Sequence, residues 1–185
     1  MIEPNANKRR VVYLIICAAP PAQEIHQLIV QTQAAQWEVC AIATPQATRF
    51  INAPLLAQLT GYPVRSDYKN TGEPDAFPQA DALVVMPATF NTINKWALGI
   101  ADTLAVSILC EALGRNTPIV AVPYLKLDLA RHPVFTKSLT MLSECGIRIL
   151  YEPERYPPSN RVPWEVIIDE LQKTQINQDD QQSGG

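Results

Sequence analysis

The chain has 185 residues and a formal net charge of −3, with 47% hydrophobic and 18% charged residues. That is enough chain for one domain with a real core, and the mixture is globular rather than disordered. Its basic residues are scattered, which argues against a nucleic-acid surface, and no apolar run reaches the length that spans a membrane.

The segments alternate along the chain. Residues 1–10 read as a flexible N-terminus. The apolar run of Val11 to Cys17 reads as a strand. It follows a basic pair and so resembles a secretion signal, but it is short and runs into Pro20 and Pro21, so the strand reading is preferred. Ala22 to Gln36 is predicted as a helix from the stripe Ile25, Leu28, Ile29 and Val30. Glu38 to Ala43 is the second strand, and Gln46 to Thr60 a second helix closed by Gly61 and Pro63. A short strand is expected around Val64. A long polar loop, Arg65 to Gln79, precedes the strand Ala82 to Met86. A single helix is predicted from Thr92 to Leu113, bent near Gly99 and Asp102. Its apolar stripe, which includes Trp96, Ile100, Leu104 and Ile108, is wide for a helix covering one sheet face, so part of it is expected against a neighbouring subunit. Pro118 to Val122 is a strand, Pro133 to Glu144 a helix and Gly146 to Leu150 the last strand. A final helix covers Trp164 to Lys173, and residues 174–185 read as a disordered polar tail. The domain proper is then residues 11–173. Val- and Ile-rich strands between helices imply an α/β fold: a parallel sheet with helices on both faces, three layers in all.

In such sheets ligands bind at the carboxyl ends of the strands. The loop after the first strand is CAAPP. It lacks the Gly-x-Gly-x-x-Gly of a dinucleotide site. Ala18 and Ala19 are small enough for a phosphate to approach the backbone, or the loop is a plain turn. After the second strand, Thr44 offers a hydroxyl to a ligand, while Thr48 alternatively caps the next helix. After the third strand comes PATFNTINKW, Pro87 to Trp96. Its hydroxyls and amide stand at a strand-to-helix turn, where unsatisfied N–H groups and the helix dipole favour an anion. The four cysteines, Cys17, Cys40, Cys110 and Cys145, have no Cys-x-x-Cys spacing and read as reduced, mostly buried thiols of a cytoplasmic protein. With only His26 and His132 as histidines, no metal site is expected.

The segment VVMPATFNTINKWALGIADTL resembles the signature of the flavin-containing cysteine decarboxylases, among them phosphopantothenoylcysteine decarboxylase and the peptidyl-cysteine decarboxylases of lantibiotic synthesis. The matching positions are Pro87, Ala88, Thr89, Asn91, Thr92, Gly99, Ile100, Asp102 and Leu104, and a weaker likeness spans Val11 to Ile168. The resemblance implies FMN as cofactor, a Rossmann-like (flavodoxin-like) fold, and a homotrimer or a multiple of trimers. It places Ala18, Ala19, Thr44, Pro87, Ala88, Thr89, Asn91, Thr92 and Asp102 around the flavin, with Asn91 also at the reacting centre.

The rest of the family's pattern is altered. Its catalytic histidine, in the loop before the third strand, falls at Glu73, a candidate base or an ordinary exposed carboxylate. The asparagine of its next motif is Lys126, which binds a carboxylate by charge if it binds one at all. His132-Pro133 matches a frequent His-Pro of the family, with His132 capping or orienting the following helix. In the lid region no cysteine is present, and Arg155 and Arg161 are candidates to meet an anionic substrate, with Arg161 at the place of the lid's arginine. The resemblance therefore implies an FMN flavoprotein that oxidises, or oxidatively decarboxylates, a small molecule or peptide. The alternatives are an FMN-binding subunit without its own chemistry and a flavin-modifying enzyme of the prenyl-flavin-synthase kind.

Overall fold

Strands β1 (Arg10–Ile16), β2 (Trp37–Ala43), β3 (Ala82–Ala88), β4 (Ile119–Pro123) and β5 (Arg148–Ile149) pair in parallel, in the order β2-β1-β3-β4-β5. The computed structural model describes residues 9–70, 72, 74, 77–152, 154 and 162–182, with side chains described as far as residue 174. The strand sequences show little alternation of apolar and polar residues because both sheet faces are buried. Successive side chains still point opposite ways. Val12, Leu14 and Ile16 of β1 join one core with Val84 and Met86 of β3. Val11 and Ile15 join a second core with Leu83 and Val85.

Helices α1 (Ile25–Ala34), α2 (Ala53–Thr60) and α7 (Trp164–Gln182) supply the first core through Leu28, Ile29, Leu56, Ile167 and Leu171. Helices α3 (Phe90–Ala97), α4 (Leu104–Gly114) and α6 (Pro133–Glu144) supply the second through Ile93, Trp96, Leu109, Phe135 and Leu142. A single turn, α5 (Leu127–Ala130), links β4 to α6. The fold is the three-layer, flavodoxin-like one expected.

Several elements differ from the sequence reading. The first helix opens as a 3-10 turn, Pro20–Glu24, because adjacent prolines remove donors from the opening turn. The second is split into a 3-10 turn, Ala47–Arg49, and α2. Asn52 caps α2 by accepting the Leu55 N–H at 3.1 Å, while the Thr48 hydroxyl donates to the Pro45 carbonyl. The strand expected near Val64 is an isolated parallel bridge between Ile42 and Arg65. The long helix is fully broken between Ala97 and Leu104. Gly99 takes φ +69°, and Thr103 starts α4 by accepting the Val106 N–H at 3.4 Å. Two helices share the wide apolar stripe: Ile93, Trp96, Leu104, Ala105 and Leu109 are buried within the chain, while Ile100 is exposed. The last helix continues to Gln182, nine residues beyond Lys173. No proline or glycine interrupts that stretch. Cys17 and Cys40 are buried, Cys110 is half-buried and Cys145 is exposed, all with free thiols.

Glu170 fixes α7 to the edge of the sheet. Its carboxylate accepts from Arg148 Nε and from Lys173 Nζ, both at 2.7 Å. The hydrogen bond from Arg148 leads the causes that hold this carboxyl below its ordinary value, with Lys173 adding to them. A depressed folded-state pKa contributes stability above the unfolded value, and that contribution is lost as pH falls through the folded one. Wild type is therefore expected to lose stability on acidification below the usual glutamate range. Glu170→Gln, compared by thermal melts between neutral and acid pH, flattens that part of the profile.

Candidate functional site

The connection from β1 to β2 carries α1 over one face, and the connection from β3 to β4 carries α3 and α4 over the other. β1 and β3 are neighbours, so their loops part at the carboxyl ends. This is the topological switch point, where such sheets open a crevice. Its walls are Cys17 to Ala19 and Ala88 to Thr92.

Strand β3 ends with a cis Met86–Pro87 bond and a fully buried Ala88. The Ala88 carbonyl accepts the Tyr124 N–H at 2.9 Å, which ties the end of β4 to it. Thr89 then occupies the N-cap position of α3 in extended conformation (φ −83°, ψ 162°). Its carbonyl accepts the Ile93 N–H at 3.0 Å, the first bond of the helix. Its hydroxyl caps nothing and lies 3.1 Å from the Thr92 hydroxyl. The opening amides of α3, from Phe90 to Thr92, therefore carry no side-chain cap, and the positive end of the helix dipole lies behind them. Thr92 is buried, and Asn91 beside it is exposed.

Cys17 closes the floor. It is completely buried at the end of β1. Burial pushes the thiol's pKa up, against smaller opposing contributions from Thr92 and Thr89, so it stays neutral. Ala18 and Ala19 add only methyl groups to this wall. The Ala19 N–H donates to the Cys17 carbonyl at 3.0 Å. Thr44 is half-buried at the end of β2, where its N–H donates to the Ile16 carbonyl at 2.9 Å.

On the β4 side, Lys126 is exposed at the start of α5. His132 caps α6, its Nδ1 accepting the Val134 N–H at 3.2 Å. The imidazole meets Phe90 edge-on, with ring centroids 5.6 Å apart. Phe90 in turn stacks on Phe135 at 6.3 Å, so the β3 loop and α6 form one wall. Asp102 lies past the far end of α3, whose eight residues span about 12 Å. There it pairs with Lys95 rather than joining Thr89 and Thr92. Glu73, Arg155 and Arg161 lie outside the described residues.

A cavity of about 770 Å³ lies elsewhere, between α4 and the loop that follows Arg65, and is lined by Tyr13, Arg65, Phe77 and Glu111 among others. No residue from the strands' carboxyl ends borders it. The chemistry of the crevice points away from this cavity, because the open amides and hydroxyls are at the switch point. Among the described residues, no helix is long and apolar enough to cross a membrane.

The chain is thus an α/β protein, a doubly wound parallel sheet with an uncapped helix N-terminus at its switch point. The chain belongs to the Flavoprotein family, whose model matches residues 2–176. It is 30% identical over 120 residues to the coenzyme A biosynthesis bifunctional protein CoaBC of Thermococcus kodakarensis, covering 61% of this chain and 29% of that protein. It is 27% identical over 124 residues to a probable phosphopantothenoylcysteine decarboxylase of Arabidopsis thaliana, covering 62% and 61%. The chain thus spans less than two thirds of the length of these relatives. Among solved structures it is similar to the FMN-dependent cysteine decarboxylase SpaF, with a TM-score of 0.74 and 23% identity over 90% of this chain and 97% of the other. It is also similar to AnUbiX (PadA1), solved with FMN and dimethylallyl pyrophosphate, with a TM-score of 0.65 and 15% identity over 78% of each chain. At these identities the likeness shows a shared fold.

Proposed function

We propose that this protein binds FMN at the switch point and catalyses an oxidation or oxidative decarboxylation of a small molecule or peptide. The observation that carries the reading is the uncapped start of α3 behind Thr89, at the crevice where the doubly wound fold places its ligand. The donor set fits the cofactor. Three backbone amides and two hydroxyls suit a phosphate monoester. Ala18, Ala19 and Ala88 leave the backbone approachable, and Pro87 shapes the turn. Thr44 stands at the rim for the ribityl chain. Membership of the Flavoprotein family and the FMN-dependent structural neighbours support the same assignment.

When bound, FMN supplies a two-electron acceptor; the residues of the chain supply position and proton handling. Asn91 is exposed at the first turn of α3, placed to contact the reacting part of the substrate. Lys126, exposed beside the crevice, holds a substrate carboxylate by charge. Glu73 accepts a proton, and Arg161 meets an anionic substrate. Asp102 acts through Lys95 to close the turn after α3. The protein works in the cytoplasm as a homotrimer or a multiple of trimers, in which a neighbouring subunit covers the open side of the crevice.

The test is direct. Purified protein is incubated with FMN, desalted, and its visible spectrum recorded beside a light-scattering mass. Retained flavin absorbance at a trimeric or higher mass is the expected result. A colourless protein contradicts the cofactor assignment, and a monomer contradicts the assembly. Glu73 at the family's histidine position favours a second reading, an FMN-binding subunit without its own chemistry. Under that reading, Glu73→Gln and Lys126→Ala leave any measured turnover unchanged.

A further inference from the structure

Helix α6 begins at Pro133, and its cap is the imidazole of His132. Nδ1 accepts the Val134 N–H at 3.2 Å, so the neutral ring carries its proton on Nε2. The same ring lies edge-on against Phe90, with centroids 5.6 Å apart and planes at 80°. Phe90 is the first residue of α3, and it also stacks on the buried ring of Phe135 at 6.3 Å. One side chain thus touches the starts of two helices, α6 through its Nδ1 and α3 through its ring. The start of α3 is the one that carries the open amides.

The cap exists in one protonation state only. A protonated imidazole has no acceptor left: its Nδ1–H would face the Val134 N–H, and its charge would sit at the positive end of the α6 dipole. We propose that neutral His132 is a positioning residue for the flavin site: capped onto α6, it holds Phe90 in place and so fixes the opening amides of α3, and protonation releases it. This inference rests on the FMN reading above. The sign follows from the competition between the proton and the Val134 N–H. Proton uptake requires the uncapped ring, so the capped fraction, and with it FMN affinity, falls as pH falls through the titration of the imidazole. Histidines change charge between about pH 5 and 8. His132 is exposed, so protons reach the ring. The charged side chains on the surrounding elements are Lys126, Asp128 and Arg131 around α5, Lys137 on α6 and Lys95 on α3. Arg131 pairs with Asp128 at 3.8 Å, and Lys95 pairs with Asp102, so both carboxylates have cationic partners of their own.

The test measures FMN affinity by fluorescence titration between about pH 8 and pH 5, the span over which histidines titrate, with thermal melts of the flavin-free protein alongside. It compares wild type with His132→Asn, which can cap a helix without titrating but lacks the ring. The pair is repeated in a Phe90→Leu background. Titration of the FMN phosphate is common to every protein compared and cancels between them. Wild type is expected to lose roughly threefold to tenfold more affinity on acidification than His132→Asn, the scale of one aromatic contact. His132→Asn starts from the lower affinity at the alkaline end and meets wild type at the acid end. Its melting temperature falls less on acidification than that of wild type, because its cap does not titrate. In the Phe90→Leu background the two affinity profiles coincide. Parallel profiles in the Phe90 proteins, or His132→Asn affinity equal to wild type at the alkaline end, overturn the positioning role and leave the FMN reading standing. A wild-type protein that binds no FMN at any pH overturns both. If His132→Asn does not fold, His132→Ser replaces it with the same expected results.

Discussion

Thr89→Asp abolishes measurable FMN binding while leaving the fold as stable as wild type or more so. Aspartate is among the best N-cap residues, and a capping side chain contributes about 0.5–2 kcal/mol over none. Thr89 supplies no such bond, so the new carboxylate gains one. It also sits favourably at the positive end of the α3 dipole, worth about 0.3–1 kcal/mol. The same carboxylate occupies the amides assigned to the phosphate and brings a negative charge against it. Two unit charges at about 4 Å near a protein surface repel by about 4 kcal/mol, which corresponds to a loss of affinity on the order of a thousandfold. Flavin fluorescence titration and thermal melting read the two effects separately. Wild-type affinity in this variant places the phosphate away from α3. A lowered melting temperature shows that the threonine hydroxyl serves the fold in a way that the capping carboxylate does not replace.

The second large effect is on stability. Trp96 is only 2% exposed and anchors α3 in the second core. Trp96→Ala is expected to cost about 3–5 kcal/mol, the range for emptying a large aromatic site. Against a typical total of about 5–15 kcal/mol, that is a major part of the protein's stability. Trp96→Phe is a much milder change. Its ring keeps most of the packing, and the indole Nε1 is buried without a hydrogen-bond partner, so phenylalanine removes an unsatisfied donor of about 1–3 kcal/mol. Urea unfolding of the two variants should differ by at least about 2 kcal/mol on this account. Equal losses would mean that the indole donor is satisfied or that the ring is not the anchor of α3.

The sheet was legible in the sequence because each buried strand is a short Val- and Ile-rich run with turn residues at its ends. Helix α6 was legible from its start at Pro133 and its stop before Gly146. The break between α3 and α4 was concealed because helical spacing continues across it, with Trp96, Ile100, Leu104 and Ile108 falling four apart. What stops the helix is a conformation, Gly99 at positive φ, followed by a new cap at Thr103. The loop after β3 was legible as a strand-to-helix turn rich in hydroxyls, and the family resemblance assigned roles to its residues. That Thr89 turns away from the helix was not legible, since its backbone and its residue type are those of an ordinary cap. Its hydroxyl lies 3.1 Å from that of Thr92 instead.

The most direct measurement is a crystal structure of the purified protein grown with FMN. The account predicts phosphate oxygens within hydrogen-bonding distance of the opening amides of α3, with the Thr89 hydroxyl still turned toward Thr92. A phosphate bound elsewhere, including the cavity between α4 and the loop after Arg65, or a Thr89 hydroxyl seated on the helix amides, would contradict it.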